Sequence, residues 1–269
     1  MNYISVKQAS ELWNISERRI RMLCSQGRVP GAVRLGNYMW NIPEGSSKPS
    51  DFRTMRYLHN KNLRAGANDY SSANFLNEQK LPNKDEKIGI IRNILRYQNI
   101  FLSNEQINHV VFFLSNVPEE NISLELSVKI LDLYGSLSAL PIYINMKNII
   151  ELNKMVCRNI YSEDDYLIES DYLSKIDMLI QTYNSDWSVL HPVARATFIF
   201  DNILKNQPFK FNNIETAFIA LENELILNKL NCAVLPDNSI DELKGDLVSS
   251  AFKGNLQKVI SLILNAISK

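Results

Sequence analysis

The sequence predicts a mainly α chain, with a small N-terminal module of two helices and a hairpin followed by a larger all-helical domain. Three observations predict it. Apolar residues recur at helical spacing through most of 86–267, with Pro118, Pro141, Pro192, Pro208 and Pro236 at or near the breaks. No βαβ alternation and no internal repeat is found. Charge divides unevenly: residues 1–60 carry 9 Lys+Arg against 4 Asp+Glu, net +5, and the other 209 residues carry 20 against 25, net −5. A basic N-terminal segment on an acidic body points to a small nucleic-acid module on a domain that does not bind nucleic acid.

Bulk composition is that of a soluble globular protein, with 45% hydrophobic and 22% charged residues. The three cysteines, Cys24, Cys157 and Cys232, are far apart and lack a C-x-x-C pair, which argues against a disulfide framework or a zinc site. His59, His109 and His191 share no metal-ligand spacing, so no metal site is expected. The start, MNYISVKQ, lacks the apolar core of a signal peptide, and no run approaches a membrane span. A cytoplasmic protein with no membrane association is expected.

The elements follow in order. Ser5-x-x-Gln8 has the form of a capping box, and Val6, Ala9, Leu12 and Trp13 line one face of a first helix. Asn14-Ile15 makes a turn. Ser16 caps a second helix, and Glu17 suits its positive N-terminal end. Ile20, Leu23 and Cys24 form the apolar face, and Gly27 and Pro30 end the helix. Two strand-like runs then flank Gly36-Asn37, a dipeptide suited to a two-residue hairpin. The module spans residues 1–45. Residues 46–85 are poor in apolar periodicity and read as a linker, with a short helix around 52–64. The helical domain covers 86–269, with helices over 86–98, 103–115, 123–134, 146–159, 164–183, 190–206, 213–230 and 239–267, the last broken near Gly254. The acidic run at 162–166 is expected to be a helix N-terminus capped by Ser162.

At 100° per residue Arg18 and Arg21 point away from the Ile20–Leu23–Cys24 face, and Arg19 lies at its edge. Arg28 and Arg34 would sit at the helix exit and on the hairpin. "YISVKQASELWNISERRIRMLCSQGRVPGAVRLGNYMWNIP" resembles the excisionase-like branch of the MerR-type winged helix–turn–helix. The resemblance covers roughly residues 3–43. It implies that the second helix reads DNA and the hairpin is the wing, with Arg18, Arg19, Arg21, Arg28 and Arg34 as the DNA-binding residues. One such module buries little surface, so tight specific binding calls for a dimer or a partner.

The helical domain carries a second resemblance. "IESDYLSKIDMLIQTYNSDWSVLHPVARATFIFDNIL" (168–204), "NQPFKFNNIETAFIALENELILNKLN" (206–231) and "DLVSSAFKGNLQKVISLILNAI" (246–267) together resemble the Fic family, helical enzymes that mostly transfer AMP from ATP to a protein hydroxyl. The family's loop reads H-P-F-x-[D/E]-G-N-G-R-x-x-R. Here Gln207 stands at the histidine, Pro208 and Phe209 match, and Phe211 stands at the acidic position. Asn212 and Ile214 replace the glycines around the matching Asn213. Glu215 and Phe218 replace the two arginines.

AMP transfer needs a base, and a glutamine amide has no useful basicity. Magnesium needs an oxygen ligand, which Phe211 lacks. Glu215 brings a negative charge to where the resemblance implies phosphates would lie. Losing the base alone typically costs about 10²–10⁴-fold. The expectation is therefore a DNA-binding regulatory protein with a catalytically degenerate Fic-like domain serving partner binding, dimerisation or ligand sensing. No catalytic residue is expected, and ATP and magnesium enter only if the site is active. The implied partners are DNA, a protein and a second copy of the chain. The implied settings are transcriptional regulation and toxin–antitoxin control. The alternatives are a divergent Fic-type nucleotidyltransferase using Asn213, and an antitoxin-like protein-interaction module.

Overall fold

The structure is a computed structural model that describes residues 3–25, 29, 31–34, 39–46, 70, 73, 75–113, 122–160, 170–253 and 256–268. The chain divides into two compact units, Met1–Lys61 and Asn62–Lys269. Arg28, His59, the Gly36-Asn37 turn, the helix expected around 52–64 and the acidic run at 162–166 lie outside the described residues.

In the first unit, strand β1 (Tyr3–Ser5) leads directly into helix α1 (Val6–Trp13), and helix α2 (Glu17–Ser25) follows. The capping box forms as its sequence requires: Gln8 N–H donates to Ser5 Oγ at 3.3 Å, and Ser5 N–H donates to Gln8 Oε1 at 2.8 Å. Asn14 ends α1 in the left-handed conformation (φ 50°). Arg19 N–H donates to Ser16 Oγ at 3.3 Å, so Ser16 caps α2. Strands β2 (Val33–Arg34) and β3 (Trp40–Pro43) complete a three-stranded antiparallel sheet in the order β1-β3-β2, with Ile4 opposite Ile42 and Arg34 opposite Trp40. Val6, Ala9, Trp13, Ile20, Leu23 and Ile42 form its core. Leu12 departs from the expected face and is 68% exposed. It sits about 100° around the helix from Trp13, too far to share the buried stripe.

Among its described residues the second unit has helices as its only regular elements. Its helices are α3 (Lys84–Tyr97), α4 (Asn104–Phe113), α5 (Leu124–Ser138), α6 (Met146–Met155), α7 (Ser170–Asn184), α8 (Pro192–Asn206), α9 (Asn213–Leu227), α10 (Ser239–Lys253) and α11 (Gln257–Ile267). Each expected segment is present, and the last is split in two. Helix α9 is the axis. Every residue from Glu215 to Ile226 is buried, and α3, α5, α6 and α8 all contact it. A helix with no solvent-facing side must satisfy its polar residues internally. Those of α9 do so across the core. Asn223 accepts from Ile142 N–H at 2.8 Å and donates to Ile142 C=O at 2.9 Å. Both oxygens of Glu222 accept from Ala233 N–H, at 3.2 and 3.0 Å. Gly89 on α3 permits close packing, because a Cβ there would come 2.5 Å from Val234 Cγ1.

The expected linker ends earlier than its composition suggests. Ala73 is buried in the core of the second unit. Leu76 N–H donates to Lys229 C=O at 2.8 Å, Gln79 Nε2 to Ile226 C=O at 3.2 Å, and Lys229 Nζ to Asn77 C=O at 3.2 Å. The first two bonds add donors to carbonyls at and just past the end of α9, where Ile226 C=O also accepts Lys229 N–H at 3.0 Å. Tyr70, Ala73 and residues 75–80 thus form a strap on the helical unit. Polar composition hid it, because backbone hydrogen bonds leave no apolar pattern in sequence.

Candidate functional site

The site is the loop between α8 and α9. Gln207 ends α8 in the left-handed conformation (φ 42°, ψ 65°), its N–H still bonded to Ile203 C=O at 3.0 Å. Pro208 cannot continue the helix. Asn212 is left-handed as well (φ 54°), and α9 starts immediately after it. Non-glycine residues occupy this region at a cost, and their surroundings must hold them there.

Asn213 supplies much of that hold. Phe209 N–H donates to its Oδ1 at 3.0 Å, and its Nδ2 donates to Phe209 C=O at 2.7 Å. The amide is engaged at both ends by the loop itself. From α6, buried Asn153 donates to Phe211 C=O and to Thr216 Oγ1, each at 2.9 Å. Thr216 Oγ1 donates in turn to Asn212 C=O at 2.7 Å. The carbonyls of Phe209, Phe211 and Asn212 are all occupied by side chains. Asn212 Nδ2 is buried without a hydrogen-bond partner.

The remaining loop residues sort by burial. Pro208 and Phe209 are buried, Phe211 is half-buried and Gln207 is exposed. Lys210 Nζ lies 5.1 Å from the centre of the Phe211 ring. Phe218 is a core residue, edge-on to Phe200 at 4.9 Å and to Tyr97 at 5.5 Å.

Glu215 is where the structure corrects the sequence reading. Its side chain does not present a charge to the loop. It is 2% exposed and turns inward, where Lys129 of α5 forms an ion pair with Oε1 and Gln98 Nε2 donates to the same oxygen at 2.7 Å. Lys129 Nζ also donates to Gln98 Oε1 at 2.8 Å, closing a triangle. A buried carboxylate must find such partners, and here they come from outside its own helix. Lys129, Gln98 and Asn153 escaped the sequence reading for one reason: they lie 86, 117 and 63 positions away from their α9 partners, and nothing local marks them.

A second polar cluster lies at the other end of α9. Glu224 is fully buried. Arg195 Nε pairs with its Oε1, Asn228 Nδ2 donates to that oxygen at 2.8 Å, and Tyr183 Oη donates to Oε2 at 2.9 Å. Burial pushes the Glu224 carboxyl up while Arg195 and the hydrogen bonds draw it down. Burial, with Glu224 beside it, also raises the Tyr183 phenol. His191 caps α8, its Nδ1 accepting Val193 N–H at 3.3 Å. Among the described residues no group of three or more His, Cys, Asp or Glu could hold a metal ion. Cys24, Cys157 and Cys232 are free thiols. Among those residues, too, no helix is long and apolar enough to cross a membrane.

In the first unit the described arginines spread over α2 and β2. Arg18 is exposed, while Arg19 and Arg21 are half-buried. Arg21 is paired one turn back, its Nη2 2.6 Å from Glu17 Oε2. Arg34 is exposed on an edge strand.

No family model matches the sequence, and no curated protein is similar enough in sequence to match. Solved structures do match by fold. Fic-1 of C. elegans superposes with a TM-score of 0.59 at 13% identity, covering 80% of this chain and 71% of that chain. A Fic family protein of Desulfovibrio desulfuricans gives 0.59 at 12% identity over 82% and 75%. A Fic domain containing signaling protein of Bacteroides thetaiotaomicron gives 0.55 at 16% identity over 77% and 91%. Identities this low show the fold alone, and the fold is Fic-like.

Proposed function

We propose that this Fic-like fold serves binding rather than chemistry, in a cytoplasmic regulatory protein whose first unit contacts DNA. The observation that carries the reading is the closed loop. In the positions where a Fic enzyme would work on its substrate, Asn213 bonds the backbone of Phe209 in both directions and Glu215 is spent on Lys129 and Gln98. Gln207 supplies no base, and Phe211 supplies no ligand oxygen from its side chain. This donor set does not fit a magnesium-bound nucleotide. The Phe211 carbonyl is taken by Asn153, and the buried side-chain atom of the loop that lacks a partner, Asn212 Nδ2, is a hydrogen-bond donor that cannot ligate a metal.

The DNA half rests on the shape and charge of the first unit. Helix α2 follows α1 after a short turn and carries Arg18, Arg19 and Arg21, and β2 carries Arg34 beside β3. That arrangement suits a winged helix–turn–helix with α2 in the major groove and the sheet edge near the phosphates. The net +5 of the first 60 residues supports it. The helical unit then serves to pair two copies or to hold a protein partner, since one small module buries too little surface to bind tightly.

Two assays test the reading. Genomic fragments in a gel shift should be retained at low salt and released as salt rises; no retention removes the DNA half and leaves a protein-interaction module such as an antitoxin. Incubation of the full chain with labelled ATP, magnesium and lysate should leave no label on protein. Label that disappears in Asn213→Ala would establish a divergent nucleotidyltransferase instead.

A further inference from the structure

Asparagine fastens this chain to itself in one repeated way. Asn93 of α3 accepts Leu235 N–H and donates to Leu235 C=O, both at 2.9 Å. Asn223 of α9 clasps Ile142 in the same manner, and Asn213 clasps Phe209. A primary amide has a donor and an acceptor side by side, which matches the C=O and N–H of one residue whose backbone is not spent inside a helix.

One asparagine with this capacity faces outward. Asn265 on α11 is exposed and has no hydrogen-bond partner among the described residues. It lines a groove of about 650 Å³ between α11 and the first turns of α10. The floor is apolar, with Leu235, Leu262 and Ala266 all buried. The floor is also fixed in place. Asn93 clasps Leu235, and Arg92 and Arg96 bind Asp237 at 3.1 and 2.7 Å. A groove that is already ordered loses little conformational freedom on binding. On the α10 wall Glu242 is exposed and forms no ion pair among the described residues. Lys258 on the opposite wall lies 3.5 Å from Asp246 instead. The groove therefore presents one uncompensated negative charge.

Its dimensions suit extended backbone. The nine steps from Gln257 to Ala266 on α11 cover about 13.5 Å, the length of about four extended residues. Ser261 and Asn265 stand about 6 Å apart along the helix, close to the two-residue repeat of about 6.7 Å in an extended chain. Ser261 Oγ donates to Gln257 C=O at 3.0 Å, which leaves its lone pairs free to accept. We infer that this groove binds an extended segment of a partner protein that carries Lys or Arg. Asn265 clasps one residue of the segment, and Ser261 accepts the N–H of the residue two positions along. An apolar side chain rests on Leu262 and Ala266, and the basic side chain pairs with Glu242. A helix does not suit the site, because its N–H and C=O groups are spent on one another. The site stands whether or not the first unit contacts DNA.

Panning a displayed library of short random peptides on the full chain tests this. The enriched peptides, made synthetically with a fluorescent label, are then titrated by anisotropy against wild type, Asn265→Ala and Glu242→Lys. Both substitutions lie on the exposed surface, and circular dichroism verifies that each variant is folded. The enriched peptides should carry Lys or Arg beside apolar residues. Their affinity should fall about tenfold in Asn265→Ala, through the loss of two hydrogen bonds, and at least as far in Glu242→Lys. No enriched peptide, or enrichment of acidic ones, would overturn the proposal. So would binding that either variant leaves unchanged. A wild-type dimer in sedimentation velocity that Glu242→Lys dissociates, with no peptide enriched, would give the groove to a second copy of the chain and overturn it as well.

Discussion

Asn213 and the backbone of Phe209 are bonded in both directions: Oδ1 accepts from Phe209 N–H at 3.0 Å, and Nδ2 donates to Phe209 C=O at 2.7 Å. The one polar loop residue that matches the Fic pattern therefore closes its own loop. Asn213→Ala should leave two backbone groups unpaired and lower stability by about 1–3 kcal/mol. Chemical denaturation checks this; an unchanged midpoint would mean that the clamp contributes nothing.

Lys129 and Glu215 should behave as a buried pair. Lys129→Met strands the carboxylate and should cost about 3–5 kcal/mol. The double variant Lys129→Met, Glu215→Leu should recover most of that loss, because apolar replacements of a buried pair are often neutral. A thermodynamic double-mutant cycle measures the coupling, and additive losses would contradict the triangle with Gln98.

Glu222 predicts a pH dependence. Burial pushes its carboxyl from 4.5 up to about 8, against the pull of the Ala233 N–H and the Cys232 thiol. Below about pH 4.5 the group is protonated in both folded and unfolded chains. Between that value and about 8 only the folded chain keeps the proton, so stability falls as pH rises and the loss is complete above 8. Each unit of that gap is worth about 1.4 kcal/mol. Glu222→Gln should flatten the curve relative to wild type between about pH 5 and 8, as followed by urea midpoints.

Gly89→Ala tests the packing of α3 on the 231–236 segment. The added Cβ would meet Val234 Cγ1 at 2.5 Å, and a β-branched side chain has little freedom to withdraw. A loss of about 1–3 kcal/mol is expected where such overpacking occurs, although alanine is otherwise the better helix former. A raised melting temperature would show that the segment yields.

On the DNA reading, Arg18→Ala together with Arg34→Ala should weaken binding at every sequence if both touch phosphates. The salt slope should fall by about 0.9 for each phosphate that is no longer neutralised. Arg21 should matter less than Arg18, because Glu17 already pairs with it. Fluorescence anisotropy at several salt concentrations measures both effects. An unchanged slope would move the binding surface away from α2 and β2.

Much of this protein was legible in its sequence because the signals are local. Ser5-x-x-Gln8 specified a capping box, and Pro192 after His191 specified a helix start, since each acts on backbone groups within a turn. Recurring apolar residues marked every helix described in the second unit, because each must bury at least one face against its neighbours, and α9 buries all of its faces. In the loop, the sequence determined which residue types were missing: no histidine at 207, no acid at 211, no arginine at 215 or 218.

What those positions do instead was decided only by tertiary structure. Glu215 looked like a charge facing the loop and is a core carboxylate held by Lys129 and Gln98. Tyr70, Ala73 and residues 75–80 looked like linker and are a strap bonded to the end of α9. The physical reason is common to both. A buried charge or a helix-end carbonyl creates a demand that is visible in one segment, while the group that meets it comes from wherever the fold brings a donor close. Sequence spacing records the demand, and three-dimensional packing alone selects the donor.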